Sequence, residues 1–497
     1  MQVVHPSGSP AEVWRLQPNT ASGEQPTKAS HLSIEKADTR ANDIEIDHIL
    51  PLRKTTWDKS SGRELEGVLA VAPQDPRHYD HHSQPSPADA RQHKLSERTT
   101  AYEEAFMGGQ VITDYHEIMR VLTDRSMRQA LYDEGGVVMN DVLLTLHGRE
   151  HHKRRVLEFS VLRKDFFSIY ETEIFLPALA QVIGPLSADG KMDLIEFGYR
   201  VTMNLTADFA GLDRPEKSPE ETEQLLKLVK IFSECATLVH STRDKEEVRT
   251  GAREALEELR TAFLSPSVER RKALMAQENV ELPRDVLTLL LRDQEKLGIT
   301  DEVILREMAF FLQAGSHSTA NSMVHALHEI FTRWPEPDAR KELREDRLYV
   351  QRCVHESFRL HPASPVAWRS PETACPMSSE GRVELDFASA NRQRDLFGAT
   401  ADVFDPDRAL PEGVPIWGLT FGYGMHMCLG RDLDGGLPAG PDTDPETHQY
   451  GIVTRLVQTL LDRDVRPDPD RPPVQDTNTS RMNFSSYPVI LTPEIEA

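Results

Sequence analysis

The sequence predicts a mostly α-helical protein with a minor β component, and three observations predict it. From about residue 110, apolar residues recur at helical spacing in one segment after another. The longest of these segments, 301–333, would make a helix ~50 Å long. The strand-like stretches, such as GGQVIT and the pieces of the Pro-rich segment after residue 360, are short.

Residues 1–107 are poorly patterned, with clusters such as PQDPRHYDHHSQPSPADA, and read as an irregular extension. His78, His81 and His82 there could bind a metal, but no cysteine or ligand spacing supports a closed site. Residues 108–497 read as one large domain. Tyr115–Leu122 has the pattern of a short amphipathic helix, and His151–Val161 is basic and helical. Val201–Ala210, Pro219–Val239 and Lys245–Phe263 follow as helices. The second of them has a complete start signal: Ser218 as cap, Pro219 in the first turn, then Glu220 and Glu221 at the positive end of the dipole. Arg284–Leu297 is ended by Gly298. Thr300 caps the long 301–333 helix, Ile304, Met308, Leu312, Met323, Leu327 and Ile330 recur along it, and Trp334-Pro335 ends it. Glu336–Leu360 is helical, a Gly-rich loop surrounds residue 424, and helical pattern resumes at about Ile452.

The 497 residues carry 57 Lys+Arg against 80 Asp+Glu, a net charge of −23, which argues against nucleic acid as a partner. It leaves room for a local basic patch facing an acidic protein. Cys235, Cys353, Cys375 and Cys428 have no CxxC or disulfide-scaffold spacing and suit a reducing, cytoplasmic compartment. No run of ~18 apolar residues occurs and the N-terminus lacks a leader pattern, so no membrane partner is expected.

The sharpest chemical signal is the segment 421–430, FGYGMHMCLG. One cysteine lies in a glycine-rich loop just before a helical pattern. Glycines let backbone approach a flat ligand, and helix-start amides would favour a low-pKa thiolate able to hold a metal. Upstream, Glu356 and Arg359 lie three apart on one helix face. His151 and Arg155 are four apart on a basic segment, as are His147 and His151, a possible zinc pair without a third ligand. The middle of the long helix reads Ala314-Gly315-Ser316-His317-Ser318-Thr319.

These motifs, in this order, resemble the cytochrome P-450 superfamily, in particular its soluble bacterial type. Phe421, Gly424, His426, Cys428 and Gly430 match the heme-thiolate signature FxxGxHxCxG. The resemblance spans about residues 108–495 and implies a helical domain around a buried heme b (iron protoporphyrin IX). Cys428 would be its metal ligand, with Phe421, Gly422, His426 and Gly430 beside the ring. His151 and Arg155, in a segment like GxxHxxxR, and Arg369 would meet the propionates. Glu356, Arg359 and Arg408 would form a buried scaffold. Ala314 and Gly315 would lie over the ring at a helix kink, next to Ser318, Thr319 and His317 as the catalytic group. At this point the chain departs from the family pattern AGx(D/E)TT: His317 replaces the usual acid and Ser318 the usual threonine. A second departure is the Pro/Gly/Asp insertion after Leu433, either a lid on the ligand-loop side or a disordered surface loop. Residues 126–146 and 206–240 would line the substrate pocket.

The implied activity is monooxygenation of an apolar or amphipathic small molecule, in secondary metabolism. Electrons would come from NAD(P)H through a separate ferredoxin or flavodoxin, since the chain shows no GxGxxG module and no cluster-type cysteines. The missing acid leaves open a heme-thiolate enzyme of other chemistry: peroxide-driven, N–O or O–O rearranging, or nitrene-type. A heme sensor or electron carrier is the third reading.

Overall fold

The structure is a computed structural model and describes residues 109–187, 189–215, 217–374 and 380–492. The N-terminal extension, with His78, His81 and His82, lies outside the described residues, as does Cys375. Helices dominate. The elements that position the site are, in chain order, β1 (Gln110–Ile112), α1 (Tyr115–Thr123), β2 (Met127–Gln129), α2 (Gly148–Phe159), α3 (Leu194–Ala210), α4 (Pro219–Ala236), α5 (Asp301–Arg333), α6 (Arg347–Leu360), β3 (Val366–Pro371), β4 (Val383–Asp386), α7 (Arg431–Asp434) and α8 (Ile452–Leu461). The strands form one sheet in the order β1-β4-β3-β2, with β1 parallel to β4 and the other pairs antiparallel.

The long helix has its expected ends. The Thr300 hydroxyl accepts from the Val303 N–H, Asp301 and Glu302 occupy the first turn, and Trp334 closes the helix. The Ser218 cap of α4 also forms, accepting from Glu221 N–H. Asp193, unremarked in the sequence, caps α3 and starts it at Leu194, seven residues before the expected Val201. The helix at 245 runs into a π turn at Arg260–Leu264 instead of stopping at Phe263.

α5 is α-helical without interruption through residues 301–333. What Gly315 provides is room. A Cβ on Gly315 would lie 2.4 Å from Thr206 Cγ2 of α3, and one on Gly198 would lie 3.0 Å from Ala320 Cβ. These glycines let α3 and α5 approach closely, and side-chain hydroxyls then bridge them. Thr206 Oγ1 meets Ser316 Oγ at 2.8 Å, and Thr202 Oγ1 donates to the Ser316 carbonyl at 3.2 Å.

A buried charge cluster ties α2 to α5. Arg154 Nε donates to Glu158 Oε1 at 2.9 Å, Arg154 Nη2 binds Glu307, and the Glu307 carboxylate also accepts from Leu143 N–H at 3.1 Å. Two buried carboxylates share one guanidinium. Burial and the adjacent Glu307 therefore push the Glu158 carboxyl well above the ordinary carboxylate range. The folded chain keeps a proton there that the unfolded chain has already lost, so this cluster's contribution to stability falls as pH rises above the usual carboxylate value. Glu158→Gln should gain urea resistance relative to the parent chain as pH is raised from about 5 to about 8. A midpoint difference that does not change with pH would refute this account.

Candidate active site

The ligand loop is built from backbone conformations that need glycine. Gly422 and Gly424 sit at φ +67° and +69°, and a Cβ on Gly424 would lie 2.6 Å from the Leu122 carbonyl at the end of α1. The Cys428 N–H donates to the Phe421 carbonyl at 2.9 Å and closes the loop. Cys428 faces a cavity of about 340 Å³. Phe421, Gly422, His426 and Gly430 border the same space from the loop, and Ala314, Gly315, Ser318 and Thr319 border it from α5. His151 and Arg155 reach it from α2, and Arg369 from β3. The cavity thus gathers every candidate except His317.

Burial pushes the Cys428 thiol up to about 11, reinforced by Asp434 and opposed by the Gly430 N–H and Arg155. The expected low-pKa thiolate is therefore not a property of the loop alone. These surroundings disfavour the free anion, and a cation bound at the sulfur would displace the proton.

One edge of the cavity carries unsatisfied polar groups. The rings of His151 and His426 stand 4.4 Å apart. His151 Nε2 and both nitrogens of His426 are buried with no hydrogen-bond partner. Burial pushes His151 down to about 4 and His426 to about 2, so both rings are neutral. Arg155 Nη2 donates to the Met427 carbonyl at 2.6 Å, and Arg369 Nη1 donates to Gln129 Oε1 at 2.8 Å. Burial lowers Arg369 to about 10. Orphaned ring nitrogens beside two guanidiniums leave free energy unrecovered unless an acceptor joins them. A flat apolar ligand with carboxylates on one edge satisfies that rim and places its centre toward Cys428. The residues present fit a heme. The alternative zinc pair does not form a site: His147 Nε2 is bonded to the Arg125 carbonyl at 2.8 Å, and no group of three metal-ligating side chains occurs among the described residues.

Behind the loop, Glu356 is the hub of the expected network. Arg359 Nε and Nη2 meet its two oxygens at 2.8 and 2.6 Å, Arg408 Nη2 reaches Oε1 at 3.1 Å, and the Asp405 N–H adds a bond at 3.1 Å. Two residues missed in the sequence connect this hub to the ligand loop. Asn391 donates to the Arg359 carbonyl and accepts from Leu419 N–H at 2.8 Å, and Thr420 Oγ1 donates to the Phe358 carbonyl at 2.6 Å. Their signal is three-dimensional; no spacing marks them.

The α5 motif divides between two faces. Ser318 Oγ donates back to the Ala314 carbonyl at 2.5 Å. Thr319 Oγ1 donates to Asp434 Oδ1 at 2.6 Å. His317 points away from the cavity, its Nδ1 2.5 Å from the Tyr199 hydroxyl and its Nε2 3.5 Å from Asn483. Burial, with Arg481 adding, holds its pKa far below the ordinary histidine value. The expected proton shuttle at His317 is thus corrected: the ring is neutral and on the wrong face.

The insertion after α7 is a held loop. Gly436 and Gly451 adopt φ +71° and +85°, and a Cβ on Gly451 would sit 2.2 Å from Gly436 N. The chain therefore leaves and returns at one point, and α8 follows. His355 and Gln351 of α6 bond the carbonyls of Gly435, Leu437 and Tyr450 at 2.7 to 3.1 Å. The Glu171 carboxylate accepts from Tyr450 N–H, Gly451 N–H and Arg455 Nε. This last contact also fixes the 166–186 segment, the one helix among the described residues that is long and apolar enough to cross a membrane by length and composition. The pocket expectation for 206–240 holds only at its start. Thr206 and Phe209 line the cavity, whereas α4 packs behind α3 and α5.

A helical domain with a cysteine loop facing a long helix across a cavity has the residues to hold a heme through a thiolate. The family model described as "Cytochrome P450" matches residues 213–433, ending one residue before Asp434. A biotin biosynthesis cytochrome P450 of Bacillus subtilis is 23% identical over 343 residues, 65% of this chain and 79% of that protein. A vitamin D(3) 25-hydroxylase of Pseudonocardia autotrophica is 23% identical over 307 residues, covering 59% and 66%. The crystal structure of P450BioI with an acyl carrier protein ligated to hexadec-9Z-enoic acid superposes with a TM-score of 0.59 at 19% identity, over 77% of this chain and 92% of that one. CalO2 superposes with a TM-score of 0.60 at 17% identity, over 83% and 99%. The chain is thus similar to cytochrome P450 proteins in its family-model match, its curated relatives and its fold. It is a heme-dependent oxidoreductase, a monooxygenase in the general sense of that family.

Proposed function

We propose that the chain binds heme b through Cys428 and inserts an oxygen atom from O2 into an apolar or amphipathic small molecule, in secondary metabolism. The observation that carries this reading is the Cys428 sulfur facing Ala314, Gly315, Ser318 and Thr319 across a cavity with one polar edge, where the unsatisfied rings of His151 and His426 stand beside Arg155 and Arg369. The heme would supply oxygen activation and accept electrons one at a time, with a thiolate ligand favouring O–O cleavage. The protein does the rest. His151, His426, Arg155 and Arg369 hold the propionates. Leu143, Leu144, Leu205, Phe209 and Phe311 wall the far side with apolar surface, exclude water and orient an apolar substrate. Ser318 has given its hydrogen to Ala314 and keeps lone pairs with which to hold a water at the cavity wall.

Electrons would come from a ferredoxin or flavodoxin. Arg149, His152 and Lys153 are exposed on α2 with Val156 and Phe159, on the helix whose Arg155 touches Met427 beside the ligand. A basic, partly apolar face on a chain of net charge −23 suits a small acidic carrier. The free, buried Cys235 and Cys353 suit the reducing cytoplasm in which such carriers work. Solved relatives include EryK with erythromycin B and the himastatin hydroxylase HmtN, which supports a biosynthetic substrate.

The test is product formation driven by NAD(P)H and a carrier, with Ser318→Ala as the comparison. The variant should lose roughly 10²–10⁴-fold in coupled product and release more peroxide. Unchanged product and peroxide in Ser318→Ala would show that Ser318 holds no water that the reaction uses.

A further inference from the structure

Oxygen insertion by the proposed reaction, R–H + O2 + 2e⁻ + 2H⁺ → R–OH + H2O, consumes two protons. The cavity wall must hold a group able to carry one near neutral pH. His151 and His426 are held neutral by burial, and His317 faces Tyr199. Among the described residues that border the cavity, one carboxyl group is present, Asp434. It enters from the Cys428 side, at the end of α7, and meets α5 through the 2.6 Å bond from Thr319 Oγ1.

We propose that Asp434 is a positioning residue for proton delivery, acting through Thr319 as the carboxyl group that the α5 motif lacks. This inference rests on the monooxygenase reading above. With Asp434 ionised, Thr319 must donate to it and shows the cavity only lone pairs. With Asp434 protonated, the acid donates to Thr319 Oγ1, and the Thr319 hydrogen turns toward the cavity. Delivery then moves the Thr319 proton to a water or to reduced oxygen, moves the Asp434 proton to Thr319, and leaves a carboxylate for solvent to reprotonate. No electrons move in this step.

The surroundings leave Asp434 without a cation. Arg431 on its own helix pairs with Asp432, Arg455 of α8 pairs with Glu171, and His355 of α6 is bonded to the Gly435 carbonyl. Cys428 of the loop is a further group that ionises on this side. None of the ion pairs among the described residues includes Asp434. Burial pushes its carboxyl up to about 6, opposed by the Thr319 bond, so it gains and loses its proton just below neutral pH.

Two variants of the full, heme-loaded chain test this. Asp434→Asn keeps the size and an oxygen that can accept from Thr319, but it cannot titrate. Thr319→Val keeps the acid and removes the hydroxyl. The readouts are the pH dependence of the ferric/ferrous reduction potential and the peroxide released per NAD(P)H oxidised. Asp434→Asn should lose the inflection near pH 6 in the potential and divert at least about tenfold more electrons to peroxide. Thr319→Val should uncouple similarly but keep the inflection, moved to higher pH because the bond that lowers the Asp434 pKa is gone. Wild-type coupling and an unchanged inflection in Asp434→Asn would overturn the proposal, as would wild-type coupling in Thr319→Val. Failure of the unmodified chain to take up heme would instead defeat the functional reading on which the proposal rests.

Discussion

Cys428→Ser should give a protein whose reduced carbon monoxide complex lacks the red-shifted band of a thiolate-ligated heme. The expectation follows from placement. Cys428 is held by its own N–H to Phe421, is turned into the cavity, and is the one thiol among the described residues that borders it, since Cys235 and Cys353 are buried elsewhere. Serine is close in size and preserves the loop, but its hydroxyl does not ionise in an interior that already pushes a thiol up to about 11. Heme should still enter, since the apolar walls and the histidine and arginine rim are unaltered. A variant that keeps the red-shifted band would show that another residue ligates the iron.

Glu356→Ala should give little soluble, heme-loaded protein. Glu356 is 4% exposed and Arg359 is fully buried, and two guanidiniums converge on the one carboxylate. Removing it leaves both charges uncompensated, which costs about 3–5 kcal/mol. Against a total stability of ~5–15 kcal/mol the loss is large. It also frees Arg359 from the position at which its carbonyl meets Asn391 and, through Asn391, the ligand loop at Leu419. A well-folded, heme-loaded Glu356→Ala protein would contradict the scaffold assignment.

Much of this site is legible in the sequence because its parts are local. The loop signature lies within 421–430, the pair Glu356/Arg359 within one turn, and the Thr300 cap and Trp334-Pro335 stop bracket α5 at its observed ends. Local rules act over a few residues, and these features obey them. What escaped depends on distant segments meeting. The direction of His317 is decided by Tyr199, 118 residues away, because α3 can approach α5 at Gly198 and Gly315. Gly315 permits that approach, and nothing in a helical pattern marks a glycine as serving it. Asn391 and Thr420 carry no pattern at all. Asp434 was hidden by its neighbours. Gly435 to Pro441 reads as a turn-rich loop, and nothing in the sequence shows that the loop returns to its own base at Gly451 or that the acid before it meets Thr319.

The pKa of Cys428 is the instructive difference. Glycines and a helix start suggest a stabilised thiolate, yet α7 spans only Arg431–Asp434 and ends in an acid that opposes the anion. Burial outweighs the few amides available. If Cys428 ligates iron as proposed, the metal rather than the peptide dipoles would displace its proton.

The central claim is that Cys428 sulfur binds the iron of a heme seated against α5. X-ray absorption at the iron edge of the purified, unmodified protein tests it most directly. The account predicts a sulfur at bonding distance alongside the porphyrin nitrogens, absent in Cys428→Ser. A first shell made of nitrogen and oxygen alone in the unmodified protein would contradict it.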